Sequence, residues 1–145
     1  MIATPLIDTT AFSHGTLECR NGAKTQRFYK EFLGVHAVRR RTGNQYIWQG
    51  GEWVVVCIAV DKAGRPEQGI ENRWGLRVGS RGDVETAHAA ALAQQGKWGM
   101  RRIMPVQTAE DGVSFRPQDL DGNWWEIGWH APDYYDKLFA RGDLA

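Results

Sequence analysis

One stretch near the C-terminus, residues 119–129, constrains the fold more strongly than any other part of the sequence. Its turn signal is Asp121-Gly122-Asn123, which favours a tight turn because glycine and asparagine tolerate a positive φ. Alternating bulky residues follow directly. Because side chains on a strand point alternately to opposite faces, this pattern predicts a turn and then a strand from Trp124 to Trp129.

The two faces of this predicted strand differ in chemistry. One face is apolar and is expected to lie in the core: Trp125, Ile127 and Trp129. The other face carries Trp124, Glu126 and Gly128. Burying an unpaired carboxylate costs several kcal/mol, so Glu126 requires a cation, a metal ion or water. A carboxylate on an edge strand in solvent is the simpler alternative.

The composition limits the class of protein. A chain of 145 residues fits one domain, or two small modules that share a core. A formal net charge of +1 argues against nucleic acid or an anionic membrane as a partner, and no apolar run is long enough for a transmembrane helix. Cys19 and Cys57 form neither a disulfide framework nor a C-x-x-C site. A reducing, cytoplasmic setting is therefore expected.

The rest of the chain shows one order of elements twice. The first copy, about residues 12–60, predicts a strand at 14–19, a helix at 23–33 and strands at 35–41, 45–49 and 53–60. Residues 61–69 contain glycine, proline and charged side chains, which favours a linker. The second copy, about residues 70–130, predicts a strand at 73–78, a helix at 83–95 and strands at 101–106, 112–116 and 124–129. Residues 131–145 form a C-terminal segment with a short helix at 133–140.

This repeated order predicts an α+β fold built from two βαβββ modules in a single domain, residues 1–145. When the modules are aligned on their first strands, His14 falls on Arg73 and Leu17 falls on Leu76. Sequence identity between the two halves is slight, so the repeat lies in the architecture.

The chain resembles the vicinal oxygen chelate superfamily, which includes glyoxalase I, bleomycin-resistance proteins and type I extradiol dioxygenases. The resemblance rests on the first strand of each module, on the Phe28-Tyr29 and Phe32-Leu33-Gly34 motifs and, above all, on residues 119–126. These last residues are similar to the family signature D-x-D-G-N-x-x-E. The resemblance implies paired βαβββ modules whose mixed sheets curl around a shared cup, and it allows a homodimer.

The resemblance also implies a site. Metal-binding members of the family place ligands on the first and last strands of each module, and His14 and Glu126 match two of those positions. A divalent metal such as Fe, Zn, Mn or Ni is implied there. Arg73 stands where a histidine ligand is usual, and Cys57 falls near a glutamate position of the first module. Because arginine does not deprotonate, Arg73 either pairs with Glu126 in the absence of metal or holds a substrate carboxylate or phenolate.

Aromatic residues supply a second signal. Tyr46 and Trp48 share one face of a predicted strand, and alternation places Trp124 on the cup face. With Cys57, they are the candidate ligand-binding residues. Aromatic walls with a few polar groups are typical of small-molecule pockets, and simple core filling is the alternative.

Two functions stay open at this point. The first, which is favoured, is a lyase or dioxygenase of the glyoxalase type that acts on a small oxygenated or aromatic molecule. His14 and Glu126 would bind metal or handle protons, and Arg73 would hold the substrate. The second is a metal-free protein of the bleomycin-resistance kind that sequesters a flat ligand. The metal content of the purified protein distinguishes the two.

Overall fold

A computed structural model describes residues 6–7, 9–20, 22–61 and 66–143. The chain divides into two compact units, Met1–Ala63 and Gly64–Ala145. Residues 62–65 of the predicted linker lie outside the described residues. Both units combine helix and sheet, which confirms the predicted α+β class. In the described part of the chain, no helix is both long and apolar enough to cross a membrane.

The first unit is a four-stranded sheet with one helix. Its elements are β1 (His14–Cys19), α1 (Gly22–Arg27), a π-helical continuation (Phe28–Phe32), β2 (His36–Arg39), β3 (Gln45–Trp48) and β4 (Val54–Ala59). The strand order is β1-β4-β3-β2, with β1 parallel to β4. The single helix predicted over 23–33 is an α-helix that continues as a π-helix. Phe28 and Tyr29, at the start of the π-helical part, are fully buried.

Alternation divides the first sheet into a core face and an open face. Leu17, Cys19, Ala37, Ile47, Val55 and Cys57 are buried. The intervening residues form the open face, where Val38 pairs with Tyr46, Tyr46 with Val56, and Val56 with Thr16. The open face of this unit is therefore largely apolar.

The second unit repeats the order with more interruptions. Its elements are β5 (Arg73–Arg77), α2 (Arg81–Trp98), β6 (Arg102–Ile103), β7 (Gln107–Ala109), β8 (Gly112–Phe115), β9 (Pro117–Gln118), β10 (Trp124–His130) and α3 (Tyr134–Arg141). The strand order is β6-β9-β10-β8-β7, and β5 pairs parallel with β10. β8 and β9 lie along β10 in one register, so together they act as one interrupted strand.

Two boundaries in the second unit differ from the sequence prediction. The helix α2 continues past Gly96 and ends at Gly99, whose φ of 67° is the left-handed conformation favoured by glycine. The predicted strand 101–106 is interrupted after Ile103, next to Pro105, which has no N–H to donate to a strand partner. Pairing resumes in β7, and a two-residue connection, Glu110-Asp111, leads to β8.

The helix α2 covers one face of the second sheet. Its buried residues are Val84, Ala91 and Trp98, and the buried residues on the sheet are Val113, Phe115, Trp125 and Ile127. Helix α2 contacts β8 and β10 directly. The opposite face of β10, which carries Glu126 and Gly128, is left open and holds the candidate site.

Candidate functional site

The turn before β10 is organised by a buried carboxylate, Asp119. Its Oδ1 accepts hydrogen bonds from the backbone N–H groups of Asp121 and Asn123, each at 2.9 Å. Its Oδ2 accepts a hydrogen bond from Trp125 Nε1, also at 2.9 Å. Gly122 has a φ of 88°, as the turn signal predicted. Asp119 therefore fixes where β10 begins and which of its residues face the core.

Glu126 lies on the open face between two arginines. Arg73 Nε donates a hydrogen bond to Glu126 Oε2, and Arg116 Nε lies 3.4 Å from the same oxygen as an ion pair without hydrogen-bond geometry. The Ser114 hydroxyl also lowers the pKa of this carboxylate. Glu126 pairs on β5 with Gly75. Because glycine has no side chain, nothing at this position stands between Arg73 and the carboxylate.

These contacts set the protonation of the pair. Burial alone would raise the pKa of Glu126, but the hydrogen bond and charge of Arg73, together with the charge of Arg116, lower the pKa below its ordinary value. The hydrogen bond with Glu126 raises the pKa of Arg73 further above its already high value. Glu126 is therefore an ionised carboxylate, and it has cationic partners without a metal ion.

A second carboxylate contacts the same two arginines from the other side. Glu71 Oε2 lies 3.0 Å from Arg73 Nη1, and Glu71 Oε1 lies 3.5 Å from Arg116 Nη1. We call Glu71, Arg73, Arg116 and Glu126 the charge cluster. Its two carboxylates and two guanidinium groups balance in formal charge.

A cleft of about 1210 Å³ lies over this sheet face within the second unit. Small residues line it: Gly75, Gly112, Ser114 and Gly128. Residues that line another part of it form what we call the aromatic group: His130, Tyr134 and Tyr135. The ring centroids of His130 and Tyr135 are 4.8 Å apart. The cleft is thus lined by charged residues in one part and by aromatic residues in another.

The residues around Glu126 do not fit a divalent metal ion. Both guanidinium groups are permanently charged and cannot act as ligands. A dication at Glu126 would be repelled by two cations, each interaction costing several kcal/mol at about 4 Å and intermediate dielectric. Within residues 6–7, 9–20, 22–61 and 66–143, no three His, Cys, Asp or Glu side chains are grouped so that they could hold a metal ion.

The structure places His14 in the first unit and Glu126 in the second. His14 is exposed on β1, and its Nδ1 lies 2.9 Å from Ser13 Oγ. Tyr46 and Trp48 are exposed by 38% and 44% on the open face of the first sheet, and His36 packs against Trp48 with a centroid distance of 5.4 Å. Arg73 and Glu126, two of the predicted catalytic residues, are in contact within the second unit.

Cys57 and Trp124 have different surroundings from those expected of pocket walls. Cys57 is fully buried on the core face of the first sheet, where its Sγ lies 3.4 Å from Tyr29 Oη. Trp124 is 2% exposed, and the Arg102 guanidinium lies 5.0 Å from its ring centroid. Trp124 is not among the residues that line the cleft.

The strand register also identifies the first-unit counterpart of Glu126. On β5 and β10, Gly75 pairs with Glu126. Thr16 occupies the same place after His14 as Gly75 does after Arg73, and Thr16 pairs with Val56. Val56, one residue before Cys57, therefore stands where the second unit has its glutamate.

Three residues of the site were not predicted from the sequence: Glu71, Ser114 and Arg116. Alternation within the predicted strand 112–116 already places Ser114 and Arg116 on one face, and antiparallel pairing with residues 124–129 would have directed both toward Glu126. Glu71 lies in the loop before β5, where no periodic pattern indicates the direction of a side chain.

No known family profile matches the sequence, and no curated protein is significantly similar to it. Solved structures do match. The fosfomycin resistance protein FosX from Listeria monocytogenes, in complex with Mn(II) and sulfate, is 15% identical with a TM-score of 0.68, and the match covers 91% of this chain and 99% of that one.

Two further structures extend the comparison. A possible glyoxalase from Bacillus cereus has a TM-score of 0.65 at 12% identity, over 82% of this chain and 98% of that one. An integron cassette protein from the mobile metagenome of V. cholerae has a TM-score of 0.59 at 19% identity, over 87% of this chain and 99% of that one. At these identities the comparisons establish the fold and leave the activity open. The chain therefore has the fold of the vicinal oxygen chelate superfamily, as its sequence predicted.

Proposed function

We propose that this protein binds a small aromatic molecule in the cleft of its second unit and does so without a metal ion. One observation carries the proposal: Glu126, at the family's metal-ligand position, is already neutralised by Arg73 and Arg116. The open volume beside this pair and the aromatic group support binding of a flat molecule.

Three residues with rings, His130, Tyr134 and Tyr135, line one part of the cleft. Tyr135 is 55% exposed and stands edge-on to both His130 and Tyr134, with centroid distances of 4.8 and 5.2 Å. Aromatic pairs contribute about 0.5–1.5 kcal/mol beyond their buried area, so a ring that stacks on Tyr135 would gain a moderate affinity. Arg77 Nη2, which donates to the His130 carbonyl at 3.3 Å, adds a polar group to the same surface.

The test combines metal analysis with ligand titration. Protein purified without chelator should contain substoichiometric metal, and benzamide should bind equally with and without EDTA. Tyr135→Ala should weaken benzamide binding by about threefold to tenfold. Phe139→Ala is the matched control, because Phe139 lies one turn further along α3, is 81% exposed and does not line the cleft. A stoichiometric metal ion, or equal losses from the two substitutions, would contradict the proposal.

A glyoxalase- or dioxygenase-like enzyme is the second candidate, acting on a small oxygenated or aromatic molecule. The exposed imidazole of His14 on β1 and the solved FosX complex with Mn(II) favour it. This function requires metal-dependent turnover that His14→Ala abolishes. The same purified sample, analysed by light scattering, tests the homodimer that the resemblance allows.

A further inference from the structure

The Nη1 atoms of Arg73 and Arg116 contact one carboxylate, that of Glu71. Both guanidinium groups form an ion pair through Nε with the same atom, Oε2 of Glu126. Each Nη1 then contacts a different oxygen of Glu71, at 3.0 Å for Arg73 and 3.5 Å for Arg116. A single carboxylate thus bridges two guanidinium groups. Paired N–H donors of this kind recognise planar two-oxygen anions.

The two carboxylates of the charge cluster are held very differently. The Glu126 side chain is 29% exposed and pairs with both arginines. The Glu71 side chain is 80% exposed and lies in the loop two residues before Arg73. Ion pairs in solvent contribute about 0–1 kcal/mol, so Glu71 can leave the arginines at small cost. Glu126 is the anchor of the cluster, and Glu71 is exchangeable.

We propose that Arg73 and Arg116 form a carboxylate-binding site in which Glu71 is an internal competitor. The carboxylate of an incoming ligand replaces Glu71 between the two Nη1 groups, while Glu126 keeps both guanidinium groups in place as a positioning residue. This inference rests on the proposed function, because Glu71, Arg73 and Glu126 line the same cleft as the aromatic group. It adds the chemical class of the ligand, an aromatic carboxylic acid in its ionised form.

The exchange conserves charge within the cluster. When Glu71 swings into solvent, the ligand carboxylate takes over its contacts, so neither arginine is left without a counter-ion. Glu126 cannot be displaced in the same way, because removing a half-buried carboxylate from two guanidinium groups leaves their charges uncompensated. Competition is therefore confined to the exposed side of the arginines.

Benzoate and benzamide are matched probes, since they differ in the charged group and share the ring. Calorimetric or NMR titration of the parent, Glu71→Gln, Arg116→Gln and the double variant is the experiment. Glu71→Gln should bind benzoate about fivefold tighter than the parent, because the competing charge is gone, and should bind benzamide equally. Adding Arg116→Gln should remove the gain. Benzoate affinity that is unchanged or lower in Glu71→Gln overturns the proposal, because Glu71 then supports the arginines and does not compete for them.

The two proposals fail in different ways. If benzamide binding depends on Tyr135 while benzoate affinity is indifferent to Glu71, the anion site fails and the proposed function stands. If neither probe depends on Tyr135, the proposed function fails. Thermal unfolding checks each variant. If Arg116→Gln does not fold, the exposed substitution Glu71→Gln decides alone, through the presence or absence of its benzoate gain.

Discussion

The parallel strand pairs β1–β4 and β5–β10 have corresponding registers but carry different chemistry. In the first unit, His14 and Thr16 pair with Val54 and Val56. In the second unit, the corresponding partners are Arg73 with Trp124 and Gly75 with Glu126. The same backbone arrangement thus presents valines on one open face and an ion pair on the other. The two units therefore share their strand arrangement, but the charged residues of the site occur in the second unit.

The turns before the last strand of each unit differ in the same way. In the first unit, Gly50 and Gly51 have φ values of 109° and 74°, and Trp48 Nε1 donates to the Gly51 carbonyl at 2.9 Å. In the second unit, the buried carboxylate of Asp119 accepts three hydrogen bonds. Glycine conformations shape one turn, and a buried polar network shapes the other.

The largest expected effect comes from Asp119→Ala. The change leaves three buried N–H donors without an acceptor, each costing about 1–3 kcal/mol, and this outweighs the relief of a buried charge. Urea unfolding near neutral pH should show a loss of about 3 kcal/mol. Glu52→Ala in the exposed turn of the first unit is the control and should change stability by less than about 0.5 kcal/mol. Equal effects would remove the distinction between the turns.

The pH dependence of stability sharpens the same comparison. Burial raises the pKa of Asp119 from 3.8 to about 6, against the opposing effect of its hydrogen bonds. The folded state then binds a proton more tightly than the unfolded state. The stabilisation that results from this proton is complete below about pH 4 and is lost as the pH rises through about 6. Between about pH 4.5 and pH 7.5, the stability difference between the parent and Asp119→Ala should shrink by about 2 kcal/mol. A constant difference would show that Asp119 does not titrate in this range.

Glu126→Gln tests the contrast between the two open faces. The substitution keeps the shape of the side chain but removes the charge that Arg73 and Arg116 share, so unfolding should become easier by about 2 kcal/mol. Val56→Thr, at the corresponding position of the first unit, should cost less than about 1 kcal/mol because that face is half-exposed. Chemical denaturation of both variants gives the comparison. A larger loss in Val56→Thr would contradict it.

Arg73→His addresses the metal position directly and should have the smallest effect. It replaces a fixed charge beside Glu126 with a group that can be a ligand, so zinc affinity should rise about tenfold over the parent. Arg73→Gln removes the same charge without adding a ligand, so its zinc affinity should rise less than that of Arg73→His. Calorimetric titration with zinc is the measurement, and Arg73→His/Glu126→Ala should lose the gain. Equal zinc affinities in all four proteins would show that Arg73 is not what keeps metal from Glu126.

Much of the fold was predictable because alternation and turn chemistry are local. The strand 14–19 was predicted with its observed bounds, and the parity of residues 124–129 correctly separates the buried Trp125 and Ile127 from the half-exposed Glu126. The pairing of Arg73 with Glu126 was one of two predicted alternatives and is observed. The sequence prediction of a helix over 83–95 is too short, because the left-handed glycine that ends α2 is Gly99.

The sequence by itself determined the order of elements, the turn at 119–123 and the face of β10 on which Glu126 lies, since each depends on residues within a few positions of one another. Only the tertiary structure decided which charges meet. Arg116 reaches Glu126 through the register of β8 and β9 on β10, and Glu71 reaches both arginines from a loop. Strand register likewise put Val56, and not Cys57, opposite Thr16. Register joins residues that are far apart in the chain, so no local pattern fixes it.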